Sequence, residues 1–79
     1  MFFIYYISWE SEITMKNILT KREKEILTYL EKGFSTKDVA ELLGLSTKTI
    51  RNHISNVILK LGVNSRKQAI LELKKLNEL

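Results

Sequence analysis

The sequence predicts an all-α domain of four short helices in a helix-turn-helix arrangement, without a wing, behind a short apolar N-terminal arm. Three observations support this fold class. Pro is absent, and the three glycines, at positions 33, 44 and 62, divide the chain into short segments. A Ser or Thr that can cap a helix precedes each of four segments. Within the segments, apolar residues recur at the three- and four-residue spacing of a helix face.

The first predicted helix begins after Thr20, whose hydroxyl can form a capping box with Glu23. Gly33 is placed to end the helix in the left-handed conformation. Glu23 and Glu25 resemble a paired-carboxylate site, but the cap explains Glu23 better, and a solvated helix face explains both. The apolar positions are Leu19, which can staple the cap, and Ile26, Leu27 and Leu30.

The second predicted helix begins after Ser35 and ends at Gly44, where a tight turn leads to the next helix. Ala40 lies where two helices of a helix-turn-helix cross closely, because a larger side chain there would push them apart. A Cβ atom at Gly44 would strain the turn. The apolar face is expected to comprise Val39, Ala40, Leu42 and Leu43.

The third predicted helix, about residues 47–61, begins after Ser46 and ends at Gly62. Its apolar residues lie within about 60° of one another and define a core stripe. The opposite side carries no acid, and its Arg and Asn side chains suit guanine and adenine edges in a major groove. Hydroxyls at the helix start favour a phosphate. The stripe is Ile50, Ile54, Val57 and Leu61; Lys48, Asn52, Ser55 and Leu59 project outward, flanked by Arg51 and Asn56; the hydroxyls are Ser46, Thr47 and Thr49.

The fourth predicted helix begins after Ser65 and completes the domain. A chain of 79 residues without Cys can build only a modest core, so we expect stability from helix packing and from dimerisation. The apolar positions of this helix are Ala69, Leu73 and Leu76 on one line, with Ile70 and Leu71 beside them.

Positive charge is concentrated in the middle of the chain. Residues 42–71 contain five Lys and Arg residues and no acid, within a chain of net charge +4. Such a stretch is either a solvated basic face or a surface attracted to a polyanion.

The N-terminal arm, residues 1–14, differs in composition from the domain at residues 15–79. Residues 1–9 hold five aromatic side chains and no charge. They lack the basic start and cleavage site of a secretory signal, and they are shorter than the roughly 20 residues of a membrane span. We therefore expect a cytoplasmic protein without membrane contact. The arm is either incidental, with Met15 as an alternative start, or a cover for an apolar patch or a partner.

Three segments within residues 19–76 closely resemble the DNA-binding domain of the LuxR-type regulators. They are LTKREKEIL, KDVAELLGLSTKTIRNHISNV and KLGVNSR. The chain is especially similar to a member built from this domain alone. The resemblance implies a nucleoid-associated transcription regulator that binds double-stranded DNA as a homodimer on a two-fold-related site. The third helix would enter the major groove, and the fourth would form the dimer contact.

The resemblance also implies roles for individual positions. Base-reading roles fall on Arg51, Asn52 and Ser55, to which the outward face adds Asn56. Phosphate contacts fall on Thr36, Lys37, Thr47, Lys48, Thr49, His53 and Lys60, to which the helix start adds Ser46. The dimer surface falls on Val63, Lys67, Ile70, Leu71 and Lys74.

An enzyme is the least favoured class. The chain has no nucleophile–base set, no metal-ligand set and no phosphate-cradling Gly loop, so we expect no cofactor, metal or small-molecule ligand. His53 has no second His or Cys beside which it could bind a metal, and packing or a phosphate contact explains it better. The chain is too short for the receiver or signal-binding domain common in the family. Leu59 departs from the family, which usually has a charged or polar residue at this position. Its side chain could contact helix four, the arm or a partner protein.

Two alternatives stay open. A sigma-factor-like module uses a related helical unit, although the KLGVNSR junction favours the regulator. A protein-interaction module would use the arm and the fourth helix to pair with a related regulator or with RNA polymerase.

Overall fold

A computed structural model describes residues 18–79 of the chain, and within this range it contains four helices and no strand. The helices are α1 (Lys21–Glu31), α2 (Thr36–Leu43), α3 (Thr47–Leu61) and α4 (Arg66–Lys75). The predicted all-α, four-helix fold is confirmed, and α3 has the predicted bounds. The arm at residues 1–14 lies outside the described residues. None of the described helices is long and apolar enough to cross a membrane.

All four helices begin at the predicted N-cap residues. The Thr20 hydroxyl accepts a hydrogen bond from the Glu23 N–H at 3.1 Å, and Glu23 Oε1 accepts one from the Thr20 N–H at 3.0 Å. The predicted capping box is therefore confirmed. A second box joins Ser35 and Asp38 at the start of α2, with bonds of 3.0 and 3.3 Å. Each box satisfies N–H groups that have no acceptor inside the helix.

All four helices also end in the same way, with a residue in the left-handed conformation. Gly33, Gly44 and Gly62 have φ of +100°, +67° and +67°. After Gly33, the Phe34 N–H reaches back to the Tyr29 carbonyl at 3.1 Å, as in a Schellman motif. Asn77, with φ of +61°, has this conformation at the end of α4. This helix end was not predicted from the sequence.

The core lies between the four helices, with α3 in contact with each of the other three. Ala40 is buried where α2 and α3 cross, and Ile50 anchors α3 beside it, as the helix-turn-helix requires. The buried apolar residues are Ile26, Leu27, Leu30, Val39, Ala40, Ile50, Ile54, Val57, Ala69 and Leu73. Because one side of α3 is buried in this core, the opposite side of the helix must face away from the domain.

Leu42 corrects the predicted apolar face of α2, because this side chain is 55% exposed. At 100° per residue, Leu43 points within about 10° of the direction midway between Val39 and Ala40, whereas Leu42 diverges by about 110°. Leu43 packs on the core, and Leu42 lies on the surface.

Candidate nucleic-acid interface

The outward side of α3 brings the predicted base-reading side chains onto one surface. Ile50, Ile54 and Val57 are buried, so the opposite side of the helix faces away from the domain. Leu59 projects from the same side and is 78% exposed, which confirms its predicted outward position. The predicted base-reading side chains are all exposed on this surface: Arg51, Asn52, Ser55 and Asn56.

The charge of this surface is uncompensated within the described part of the chain. α3 contains no Asp or Glu. The ion pairs among residues 18–79 join Arg22 to Glu25, Lys60 to Glu23, and Lys74 to Glu31. Lys48 and Arg51 are exposed, and neither belongs to these pairs. Their positive charge is therefore available to an external anion.

The N-terminus of α3 presents further donors beside Lys48. The Ser46 hydroxyl caps the helix, accepting from the Thr49 N–H at 3.1 Å and donating to the Thr49 hydroxyl at 3.0 Å. The first helical bond is from the Ile50 N–H to the Ser46 carbonyl, at 3.1 Å. The N–H groups of Thr47 and Lys48 have no acceptor inside the helix. Together with the positive end of the helix dipole, they favour an anion such as a phosphate.

The start of α2 is joined to the start of α4 by a bond that the sequence had not predicted. Arg66 Nη1 donates to the Thr36 hydroxyl at 3.1 Å. Arg66 is exposed, so its guanidinium adds positive charge next to Thr36 and the exposed Lys37. Arg66 belongs to the KLGVNSR segment, but nothing in the sequence alone places it beside a residue 30 positions away.

Lys60, a predicted phosphate contact, makes contacts inside the domain in the free protein. Its Nζ lies 2.6 Å from Glu23 Oε1 and 3.3 Å from the Ile18 carbonyl oxygen, so it binds the start of α1. Glu23 is only 4% exposed, which also corrects the expectation that it belongs to a solvated face. With its ammonium engaged by a buried carboxylate, Lys60 makes a structural contact within the domain.

The buried carboxylate of Glu23 is stabilised in its charged form. Burial alone would raise the pKa of Glu23. The hydrogen bonds from Lys60 Nζ and the Thr20 N–H, with the positive charge of Lys60 and a smaller effect of His53, outweigh burial and hold the pKa below its ordinary value of 4.5. His53 is half-buried on the same side of α3. The side chain is therefore placed near a structural ion pair, and within residues 18–79 no three His, Asp or Glu side chains form a metal-binding group.

The predicted dimer residues share one side of α4. Positions 67, 70, 71 and 74 follow the spacing of one helix face, opposite the buried Ala69 and Leu73. Leu71 is 52% exposed, Lys67 and Lys74 are exposed, and Ile70 is half-buried. The half-buried Val63 lines a shallow groove with Leu71. Lys74 also pairs with Glu31 of α1 at 3.1 Å.

Comparison with known proteins gives a family match over most of the domain. The family model described as bacterial regulatory proteins, luxR family, matches residues 17–73. The chain is 49% identical over 70 residues to the spore germination protein GerE of Bacillus subtilis, covering 89% of this chain and 95% of that protein. It is 45% identical over 56 residues to the transcriptional regulatory protein DegU of Brevibacillus brevis, covering 71% of this chain but 24% of DegU.

Solved structures show the same fold. The structure of the transcription factor GerE superposes with a TM-score of 0.76 at 59% identity, covering 77% of this chain and 91% of that one. The response regulator ChrA of a heme-sensing two-component system superposes with a TM-score of 0.73 at 36% identity, covering 77% of this chain but 30% of ChrA. In DegU and ChrA, the similarity is therefore confined to one part of a longer protein.

Proposed function

This chain belongs to the luxR family of bacterial regulatory proteins and is a DNA-binding transcription regulator; from this premise we propose that it binds a two-fold-related DNA site as a homodimer, with α3 in the major groove. The observation that supports this proposal most directly is the exposed, acid-free side of α3. A helix of this width fits the major groove of B-DNA, where each base pair presents a distinct set of donors and acceptors.

The side chains that read base edges in this proposal are Arg51, Asn52, Ser55 and Asn56. Arg can donate two hydrogen bonds to a guanine, and Asn can both donate to and accept from an adenine. Their exposure in the free protein supports this role, because no described neighbour has to be displaced before they enter the groove.

Phosphate contacts in this proposal come from both helices of the helix-turn-helix, α2 and α3. Donors at the start of α2 and of α3 would hold the backbone while α3 reads the bases, which fixes the register of the protein on the duplex. Arg66 joins this set because it bonds Thr36, and Lys60 is left out because Glu23 engages its ammonium. The other proposed contacts are Thr36, Lys37, Ser46, Thr47, Lys48, Thr49 and His53.

The proposed homodimer forms through the outward side of α4. Leu71 and the half-buried Val63 and Ile70 supply apolar area, and Lys67 and Lys74 border it. Two copies related by a two-fold axis would present two α3 helices to half-sites about one helical turn apart.

The test is selection of bound sequences from a random DNA pool by the purified full chain. We expect enrichment of a two-fold-related motif that Arg51→Ala abolishes. The matched control is Arg22→Ala, which removes another exposed arginine, on α1, where it pairs with Glu25. This control should enrich the same motif as the unmodified protein.

Two results would contradict the proposal. Binding that falls steeply with salt but enriches no motif would mean that the basic surface contacts only the DNA backbone. An unchanged motif with Arg51→Ala would mean that α3 is not the reading helix. The first result would favour the alternative of an interaction module that pairs with a related regulator or with RNA polymerase.

A further inference from the structure

A groove on the outer side of α2 combines apolar and acidic side chains. Phe34 and Leu42 are 38% and 55% exposed, although both are large and apolar. Asp38 and Glu41 line the same groove and are exposed. Asp38 also caps α2 through the Ser35 N–H, whereas Glu41 has no ion-pair partner among residues 18–79. We call these four residues the acidic groove.

A second groove, on the outer side of α1, has the opposite charge. Lys21, Lys24 and Lys32 line it together with Tyr29, and none of these lysines forms an ion pair with a residue of the described range. Glu25 also lines it, but Arg22 engages its carboxylate at 3.2 Å. We call the three lysines and Tyr29 the basic groove.

The two grooves are neighbours. The rings of Tyr29 and Phe34 lie 5.3 Å apart between centroids, so the aromatic edge of one groove touches that of the other. Both grooves face away from the core, because the buried residues of α1 and α2 lie on the opposite sides of these helices. Neither groove contains a residue of the proposed DNA surface or of the proposed α4 dimer surface.

We propose that this paired surface binds a second copy of the chain. When two complementary patches lie side by side, a two-fold axis between them brings each acidic groove of one copy onto the basic groove of the other. Both copies then gain attraction between Glu41 and Lys24, and Phe34 and Leu42 are removed from water. Charge complementarity within one molecule favours a second copy over an unrelated partner.

This contact would be distinct from the α4 contact, so a copy could make both at once. A dimer held through α4 would then present two further paired surfaces, one on each side. Dimers on adjacent DNA sites would bind cooperatively, because the first would offer its neighbour an additional contact. The cooperative effect on DNA rests on the proposed function, whereas self-association in the absence of DNA does not.

Charge reversal tests the contact. Lys24→Glu and Glu41→Lys each place like charges opposite one another, and the double variant restores attraction with the signs exchanged. Asp38 is left unchanged because it caps α2. Arg51→Glu is the matched control for sedimentation without DNA, since it makes the same change of charge on α3, outside both grooves. The measurements are sedimentation at low salt without DNA, and binding to DNA that carries one selected site or two adjacent sites.

We expect the unmodified chain and Arg51→Glu to form larger assemblies than either single reversal at high protein concentration. Where the α4 dimer forms, each single reversal should stop at the dimer. Affinity for the second of two adjacent sites should fall about fivefold or more in the single reversals and recover in the double variant. Single reversals that behave like the unmodified chain, or a double variant that does not recover, would overturn the inference. Binding to a single site reports separately on the proposed function, because Arg51→Ala should abolish it and the reversals should not.

Discussion

Glu23 connects three parts of the domain through one carboxylate. It closes the capping box of α1 through the Thr20 N–H, and it binds the ammonium of Lys60 near the end of α3. Lys60 in turn bonds the Ile18 carbonyl, so the chain that leads into α1 is held at the same point. The Glu23 carboxylate is buried whereas Lys60 is partly exposed. Removing Lys60 would therefore leave a buried negative charge without its main compensation, which destabilises the fold.

At the scale of this residue, we predict a dependence of stability on pH. The pKa of Glu23 is lower in the folded chain than its ordinary value of 4.5. Its contribution to the free energy of unfolding is therefore full above about pH 4.5 and is lost as the pH falls through the folded value. Glu23→Gln should be less stable than the unmodified chain at neutral pH and should lose less stability on acidification.

Urea unfolding at neutral pH and at successively lower pH, to about pH 3, measures this difference. The control is Glu25→Gln, which removes an exposed carboxylate from a pair between neighbouring turns of α1. Exposed pairs contribute little, so this variant should follow the unmodified chain. If the free energy of unfolding depended on pH in the same way for Glu23→Gln and for the unmodified chain, the Glu23 carboxylate would have the same pKa in the folded and unfolded states.

The residue scale is also where prediction from sequence was least complete. Outward positions on α3 follow from helix geometry alone, so Leu59 was placed correctly. The partners of Lys60 and Arg66 are 37 and 30 positions away in the chain. Only the packing of the helices brings them together, and the order of residues along the chain carries no local signal for a contact over such a separation.

At the scale of the helices, starts and ends follow from local chemistry. A hydroxyl cap and a left-handed glycine each act within a few residues, which is why the bounds of α3 could be predicted. The end of α4 was missed because Asn77 replaces glycine there. Asn tolerates the left-handed conformation but is also common elsewhere, so its identity alone does not mark a helix end.

Gly44, which ends α2 and begins the turn of the helix-turn-helix, carries a prediction at this scale. Its φ of +67° disfavours a side chain, although a Cβ atom there would meet no atom within 4 Å. Gly44→Ala should therefore lower the free energy of unfolding by about 1–2 kcal/mol through backbone strain alone. Gly44→Asn should cost less, because Asn tolerates this conformation better.

Urea unfolding of both variants separates strain from steric conflict. Ala is smaller than Asn, so a crowded site would make Gly44→Asn the less stable variant. If Gly44→Asn were less stable than Gly44→Ala, the space around Gly44 would not be open. The glycine would then be required by close packing and not by its backbone conformation.

At the scale of the whole molecule, the outward side of α3 and the outer side of α2 differ in charge. The outward side of α3 carries only positive charge, and the outer side of α2 carries Asp38 and Glu41. The protein would therefore approach a polyanion with a preferred orientation. The charge asymmetry along the sequence indicated a polyanion partner. It did not indicate which lysines are engaged internally, since that depends on the folded chain.

Lys48 provides the prediction at this scale. It is exposed at the start of α3 and is outside every ion pair of residues 18–79. If it contacts one phosphate, Lys48→Ala should weaken binding to selected and unrelated DNA alike, and the slope of log K against log salt should become smaller by about 1.

The matched control is Lys24→Ala on α1, which removes an exposed lysine outside the proposed DNA and dimer surfaces and should leave the slope for a single site unchanged. Filter binding or fluorescence anisotropy over a range of salt concentrations measures both. A slope unchanged by Lys48→Ala would remove this residue from the phosphate set.

The hydrogen bond from Arg66 to Thr36 has a consequence for the geometry of the proposed dimer. It ties the first turn of α4 to the first turn of α2, while α3 packs against both helices. The helix that would meet the partner is thus braced against the helices that would meet DNA. The distance between the α3 helices of the two copies would then be fixed in the proposed dimer. One inserted base pair rotates a half-site by about 35° about the duplex axis, and the DNA would have to twist to accommodate it.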